Sequence, residues 1–277
     1  MKEYFYDEAS AEAHCAEVTD NYPSHQEILK DYVVLPEKVP ILRNGTTQYP
    51  IIFPPSPLVV RALGELHSAV RPDTHVLDLG CHTGSQSLFL AANGFKVTAM
   101  DVNPTALDIA SKMARALEIP EDNFKAIEGD AQTLADKKEY DIIIAANLLH
   151  FFNKEQYERI VRRIQVQTAR GGLNLLSAYT KDNPSAEKDL GRQYLFDDGE
   201  LLSQYNNSTW RTVHSITRLG HKPMDRKPNK FIVPTITELI VQRRTSAQGV
   251  GRTALQAYPE NLARSDPELY DYLSQNS

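Results

Sequence analysis

The segment Asp78-Leu79-Gly80-Cys81-His82-Thr83-Gly84 closes a short apolar run, His75–Leu79, with a glycine-bearing turn. A strand that ends in Asp and opens through glycine into a helix lets a nucleotide come close to the main chain. Seventeen residues beyond Gly84, Asp101 ends the run Lys96–Asp101. A carboxylate there can accept both hydroxyls of a ribose and repels a 2′-phosphate. Gly129-Asp130-Ala131 follows the run Phe124–Glu128 and offers a carboxylate and a backbone amide to the edge of a base. Each turn alone says little, because Gly and Asp are common punctuation. Three of them at three successive strand ends say more. Only Gly80 and Gly84 stand in the first turn, spaced G-x-x-x-G, with no third glycine and no basic residue, so a pyrophosphate has no cradle. The chemistry predicted is recognition of a nucleoside that carries no phosphate.

The elements that must position these residues follow from the pattern around them. Runs at His75–Leu79, Lys96–Asp101, Phe124–Glu128, Tyr140–Ala146 and 173–177 are nearly continuous in apolar residues, as strands covered on both faces must be. Between them lie helical stretches. Residues 104–117 place Leu107, Ala110, Met113, Ala114 and Leu117 at three- and four-residue spacing behind Pro104. Asn153 with Gln156 forms a capping box that opens a helix through Ile160 and Ile164, which Gly171-Gly172 is expected to stop. Strand and helix in alternation predict a parallel, doubly wound α/β sheet. A further helix is expected at 58–70 and a short one from Asp198 to Leu202. Two β-rich runs, 209–217 and 230–242, joined by a polar loop at 220–229, predict an antiparallel hairpin on the edge of the sheet.

Composition narrows the class. The 277 residues are 41% hydrophobic and 24% charged, too apolar for general disorder. Thirty Lys and Arg against 36 Asp and Glu leave a net charge of −6, which advertises neither nucleic acid nor an anionic membrane as a partner. Two cysteines, Cys15 and Cys81, cannot build a disulfide framework, and His14, Cys15 and His25 are too scattered for a metal site, so no metal is expected. No apolar run reaches the ~18 residues of a membrane span, and the N-terminus lacks the pattern of a signal peptide. A soluble, cytoplasmic protein is the expectation.

The Asp78–Gly84 segment resembles the first motif of the class I S-adenosylmethionine-dependent methyltransferases, usually D/E-x-G-x-G-x-G. Asp101 matches that family's ribose-binding acid and Asp130 its acid near the adenine amino group. Ala145-Ala146-Asn147-Leu148-Leu149-His150-Phe151-Phe152 matches the segment after the fourth strand that lines the sulfonium and substrate side. Asn93-Gly94-Phe95-Lys96-Val97, Gly171-Gly172-Leu173-Asn174-Leu175 and Phe196-Asp197-Asp198-Gly199-Glu200-Leu201, followed by Trp210 and a long hairpin, are most similar to the tellurite-resistance (TehB-like) branch.

The resemblance runs over residues 58–244. It implies a Rossmann-like, seven-stranded, mostly parallel sheet with only the last strand antiparallel. It also implies S-adenosylmethionine as cofactor, held by Asp78, Gly80, Cys81, His82, Gly84, Asp101, Val102, Asp130, Ala131 and Asn147. Methylation of a small molecule is the activity implied. Asn147 and His150 would stand at the reacting end, with His82 a third candidate. His82 departs from the pattern, because the family has glycine there; an imidazole at that point would change how the amino-acid end of the cofactor is held.

The flanks are not covered by the resemblance. Residues 1–57 form an N-terminal lid or arm, irregular where prolines crowd 49–57, and 245–277 a C-terminal tail. From the arm, Tyr6, Tyr22 and Tyr49 are the candidate ring contacts and Arg43 the candidate partner of a carboxylate. Two further readings stay open beside methyl transfer. One is a cyclase or non-methyl transferase that releases methylthioadenosine, as azetidine-2-carboxylate synthases do, with no partner beyond S-adenosylmethionine. The other is a binding module without turnover. Nucleic-acid and membrane partners are not expected, and the sequence leaves the oligomeric state and the acceptor open. Residues 1–40 carry nine acidic and three basic side chains, and 211–252 nine basic and two acidic. This predicts that part of the arm packs near the terminal hairpin through acid–base pairs.

Overall fold

The computed structural model describes residues 27–65, 73–134, 139–181, 193–219, 224–227, 230–232 and 235–245. The arm contributes strands β1 (Ile41–Arg43) and β2 (Thr46–Gln48), joined by Asn44-Gly45, both with positive φ as a two-residue hairpin turn requires. Helix α1 (Pro57–Glu65) leads into the core. There β3 (His75–Leu79), α2 (Ser85–Ala92), β4 (Lys96–Asp101), α3 (Pro104–Ala116), β5 (Phe124–Glu128), β6 (Tyr140–Ala146), α4 (Lys154–Gln167) and β7 (Thr168–Tyr179) alternate. A short helix α5 (Glu200–Ser203), β8 (Trp210–Leu219), β9 (Met224–Lys227), β10 (Lys230–Ile232) and β11 (Thr235–Arg243) complete the series.

Seven strands form one sheet in the order β5-β4-β3-β6-β7-β11-β8. β3 to β7 pair in parallel; β11 pairs antiparallel with both β7 and β8, so it alone runs against the other six. This is the topology the resemblance implied. Alternation along each strand divides the core. Val76, Ile142 and Ile144 pack with α1, α2 and α3 on one face, while Leu77, Leu79, Ile143 and Ala145 pack with Tyr157, Ile160, Val161 and Ile164 of α4 on the other. Burying a Leu, Ile or Val side chain contributes about 1.5–3 kcal/mol, so each face is secured independently. No helix among the described residues is long and apolar enough to cross a membrane.

One local expectation is corrected. The glycines do not stop α4: it ends at Gln167, and Gly171 and Gly172 lie inside β7, where its pairing with β6 slips between Tyr140 and Ile142. A Cβ on Gly172 would stand 2.8 Å from the Asp141 carbonyl oxygen, so close approach of two backbones explains the residue. The terminal hairpin sits on the edge of the sheet as expected, with β11 pairing inward on β7 and β8 outermost; its connector holds the small β9–β10 pair. Helix α1 is described only as far as Glu65 of the 58–70 expected.

The described part of the arm packs along α2. Tyr32 faces Phe89, and the Asn93 side chain accepts from the Val33 amide at 2.6 Å and donates to its carbonyl at 3.0 Å. Val39, Ile41 and Ile52 are buried in the same cluster as α1 and α2. Two of the three acids of this stretch pair locally, Glu27 with Lys30 and Glu37 with Lys38, while Arg218 of the hairpin pairs with Glu238 of its neighbouring strand. No ion pair among the described residues joins arm to hairpin, and six of the arm's nine acids lie in 1–26, outside the described residues.

Candidate functional site

The turn after β3 folds back onto the end of β4. The amides of Gly80 and Cys81 both donate to the Met100 carbonyl, at 2.8 and 3.1 Å. To make that bend, Gly80, His82 and Gly84 all take positive φ, at 68°, 51° and 79°. A glycine does this freely; an L-residue pays about 1–2 kcal/mol. His82 carries that strain, and its side chain is exposed rather than packed.

The backbone of His82 has a definite partner. Its amide donates to Asp101 Oδ2 at 2.8 Å, and the Asn103 amide donates to Asp101 Oδ1 at 2.9 Å. The carboxylate is thus oriented from two sides, and each oxygen keeps lone-pair capacity for a further hydroxyl. Beside it Val102 is 64% exposed, an apolar surface at a strand end where burial would be usual. Asn103 also caps α3, its Oδ1 accepting from the Thr105 amide, so one short stretch both starts a helix and aims the acid.

Asp130 ends the neighbouring turn. Its Oδ1 accepts from the Gln132 amide at 2.8 Å and its Oδ2 from the Gln132 side chain at 3.1 Å, while the Gly129 amide donates to the Asp101 carbonyl at 3.1 Å. Ala131 is buried beneath it. The structure therefore brings Gly80, His82, Asp101, Val102 and Asp130 together along the carboxyl edge of β3, β4 and β5. That edge is where open α/β sheets take their ligands.

Asp78 and Cys81 sit differently from their expected role as direct contacts. The Asp78 carboxyl is 3% exposed and accepts the Ser87 hydroxyl at 2.6 Å, beneath the loop. Burial pushes its pKa up to about 6, opposed by the Ser87 hydrogen bond and reinforced by the charge on Asp101. Burial likewise pushes the Cys81 thiol well above its ordinary value. Both shape the loop from behind. Gly84 caps α2, and a Cβ on it would stand 3.2 Å from the Ala110 Cβ, which accounts for the second glycine by close packing of α2 on α3.

At the end of β6, Asn147 takes φ 54° and is exposed. Its amide donates to the carbonyl of Ser177 at 2.9 Å and to the Ser177 hydroxyl at 3.0 Å. His150 is placed otherwise: it is 1% exposed, its Nδ1 accepts from the Tyr179 amide at 3.4 Å, and its ring lies 4.4 Å from both Phe151 and Tyr179. Its carbonyl anchors Gln193 and Tyr194. Its side chain is thus enclosed between the Phe151 and Tyr179 rings. Arg43 lies in β1, which packs against α3, and Tyr49 is exposed just beyond β2. Tyr6 and Tyr22 lie outside the described residues.

Sequence reasoning missed Asn103, Ser177 and the approach of the arm. The amide of Phe53 donates to Ser85 Oγ at 3.2 Å and that of Ser56 to Gln86 Oε1 at 2.9 Å, setting the proline-rich stretch against the first turn of α2. Asn103 before Pro104 had a readable cap signal. The other two depend on long-range register.

Comparison with known proteins agrees with this geometry. Residues 59–237 match the family model described as tellurite resistance protein TehB. The chain is 29% identical over 168 residues to the probable S-adenosyl-L-methionine-dependent methyltransferase TehB of Haemophilus influenzae (strain 10810), covering 59% of this chain and 56% of the relative. It is 32% identical over 151 residues to hemagglutinin 1 of Eikenella corrodens, covering 49% of each. The chain thus spans about half the length of the curated relatives it matches. Among solved structures, TehB from Haemophilus influenzae superposes with a TM-score of 0.56 at 22% identity, covering 66% of this chain and 60% of that one.

Proposed function

Because the chain belongs to the family of the tellurite resistance protein TehB, we propose that it binds S-adenosylmethionine and transfers the methyl group to a small molecule. The observation that carries this reading is the Asp101 carboxylate, held at one oxygen by the His82 amide and at the other by the Asn103 amide, beside exposed Val102. A carboxylate so oriented suits the two hydroxyls of a ribose, and the apolar neighbour suits the face of a base. Asp130 and Ala131 stand at the next strand end for the base edge. The 78–84 turn holds no Lys or Arg, which fits a nucleoside without phosphates.

When bound, the cofactor supplies a methyl group already activated by its sulfonium, so the protein's share is alignment and exclusion of water. Gly80 permits close approach at the loop. Asn147 presents a neutral amide at the reacting end, and His150, enclosed by Phe151 and Tyr179, forms part of the wall. In this reading the acceptor arrives with its lone pair available and needs no base. The arm, held against α2 at Phe53 and Ser56, borders the same loop and serves as the cover. The buried free thiol of Cys81 is in keeping with a cytoplasmic setting.

His82 favours a second reading. Its exposed imidazole stands on the cofactor loop where the family has glycine, and this suits a reaction at the amino-acid end of the cofactor: its neutral α-amine attacks its own γ-carbon, the γ-carbon–sulfur bond breaks, methylthioadenosine leaves, and the ring nitrogen gives its extra proton to solvent. One experiment separates the two. Protein is incubated with S-adenosylmethionine alone and with candidate acceptors, and products are read by mass spectrometry. S-adenosylhomocysteine formed only with an acceptor is expected. Methylthioadenosine without any acceptor would establish the second reading instead, and no binding of S-adenosylmethionine would end both.

A further inference from the structure

We infer that Ser177 is the positioning residue for Asn147, its hydroxyl setting the carboxamide so that the amide nitrogen faces the ligand cleft as a hydrogen-bond donor. This rests on the transferase reading above. Ala146, the last residue of β6, lies in register with Ser177 of β7, so Asn147 turns upward directly beside it. The Asn147 amide reaches both the carbonyl and the hydroxyl of Ser177, at 2.9 and 3.0 Å, and that hydroxyl faces Asn147 Oδ1 at 3.4 Å. With Oδ1 turned to Ser177, Nδ2 is left facing outward, and it has no partner among the described residues.

Ser177 is itself immobilised. It is 4% exposed, and on its far side it pairs with Glu238 of β11, whose carboxylate receives Arg218 Nε and Nη2 at 3.1 and 2.6 Å. Its hydroxyl is therefore a fixed reference for a side chain on an exposed turn. The left-handed backbone at 147 needs none of this, because the bond from the Asn147 amide to the Ser177 carbonyl holds it without any side chain. Beyond giving that amide a second acceptor at 3.0 Å, what the hydroxyl adds bears on the carboxamide. A donor fixed there suits a carboxylate oxygen, and the ligand of this site that carries one is the amino-acid end of the cofactor.

The test measures dissociation constants for S-adenosylhomocysteine, which has that end, and for methylthioadenosine, which lacks it. N147G deletes the carboxamide while suiting the positive φ, and S177A deletes the hydroxyl. Losing one hydrogen bond to a charged oxygen predicts about tenfold weaker S-adenosylhomocysteine binding for N147G and about fivefold for S177A, with methylthioadenosine unchanged. In the N147G background S177A is expected to change affinity by less than about twofold, since the two act as one unit. S177T, which keeps the hydroxyl, should retain wild-type affinity. Equal losses on both ligands, or a full S177A effect in the N147G background, would overturn the inference, because a loop held merely structurally behaves that way. If S177A does not fold, S177C, near in size but a weak donor, takes its place in the same cycle. A wild-type protein that binds S-adenosylhomocysteine while S177A is unaffected sinks this inference alone; a wild-type protein that binds neither ligand sinks the transferase reading.

Discussion

The amide of His82 donates to Asp101 Oδ2 at 2.8 Å, so the residue that stands where related loops have glycine also aims the acid at the end of the next strand. The bond uses only the backbone. It requires the loop to bend through φ 51° at His82, which histidine tolerates at a cost, and it leaves the imidazole in solvent. Anchoring at the main chain and freedom at the side chain are thus separated at one position. Removing the imidazole and removing the carboxylate should have different consequences.

Asp101→Ala is expected to weaken S-adenosylhomocysteine by about 2–3 kcal/mol, or ~30- to 150-fold, the effect of losing a charged acceptor for two hydroxyls. His82→Gly keeps the amide and relieves the left-handed strain, so affinity should stay within about threefold of wild type. Calorimetric titration checks both. A large loss in His82→Gly would show that the imidazole itself holds the ligand.

Asp78 makes stability depend on pH in an unusual direction. Its folded pKa, near 6, lies above the ordinary carboxyl value of 3.8, with burial the largest cause. The native state then binds the proton more tightly than the unfolded chain. This contribution favours folding most below about pH 4, declines as pH rises through 6, and is flat beyond. Asp78→Asn keeps an acceptor for the Ser87 hydroxyl and removes the buried charge. It should match wild type near pH 4 and exceed it by about 1–3 kcal/mol at pH 8. Urea denaturation at the two pH values measures this, and a difference independent of pH would refute it.

How much of this was legible in the sequence depends on range. The 78–84 turn, Asp101 and the Asn153–Gln156 box are local patterns, and each is realised: Asn153 Oδ1 accepts the Gln156 amide and Gln156 Oε1 accepts the Asn153 amide, both at 3.0 Å. Helix α3 matched because its apolar spacing and its proline start lie within one segment. Ser177 was invisible as a partner of Asn147 because they are 30 residues apart and meet only through the register of β6 on β7. The insertion of β11 between β7 and β8 has the same origin: a hairpin's two strands are readable, but which of them pairs inward is decided by the sheet. Gly171-Gly172 misled because a helix stop and a bulge call for the same residue. Of the arm's acids, Glu27 and Glu37 find lysines three and one residues away, while six of the nine lie outside the described residues.

Arg218 and Glu238 hold β8 to β11 through a pair of side chains exposed by only 8% and 6%. Burial raises the Glu238 pKa, and the Arg218 and Arg61 charges oppose it. Removing Arg218 takes the bidentate partner from the buried Glu238 carboxylate, so Arg218→Met should cost about 3–5 kcal/mol. The double change Arg218→Met with Glu238→Leu should recover most of that, because apolar replacements of like volume need no desolvation. Denaturation of the two variants decides it: a double variant as unstable as the single one would show that the pair stabilises in its own right.

The arm's hold on α2 is open to measurement at single amides. Ser56 donates to Gln86 Oε1 and Phe53 to Ser85 Oγ, and both acceptors sit in the first turn of the helix that the cofactor loop opens. Truncating them in Ser85→Ala with Gln86→Ala removes one bond at each amide, about 1 kcal/mol apiece, so hydrogen exchange at 53 and 56 should quicken by roughly fivefold. In wild type, S-adenosylhomocysteine should slow exchange at these same amides, because a ligand seated on the loop steadies the turn to which the arm is tied. In the double variant that protection should vanish while the ligand still binds. Protection that persists in the variant would mean that the arm is fixed to the core by Val39, Ile41 and Ile52 alone, and that the loop and the arm are not coupled.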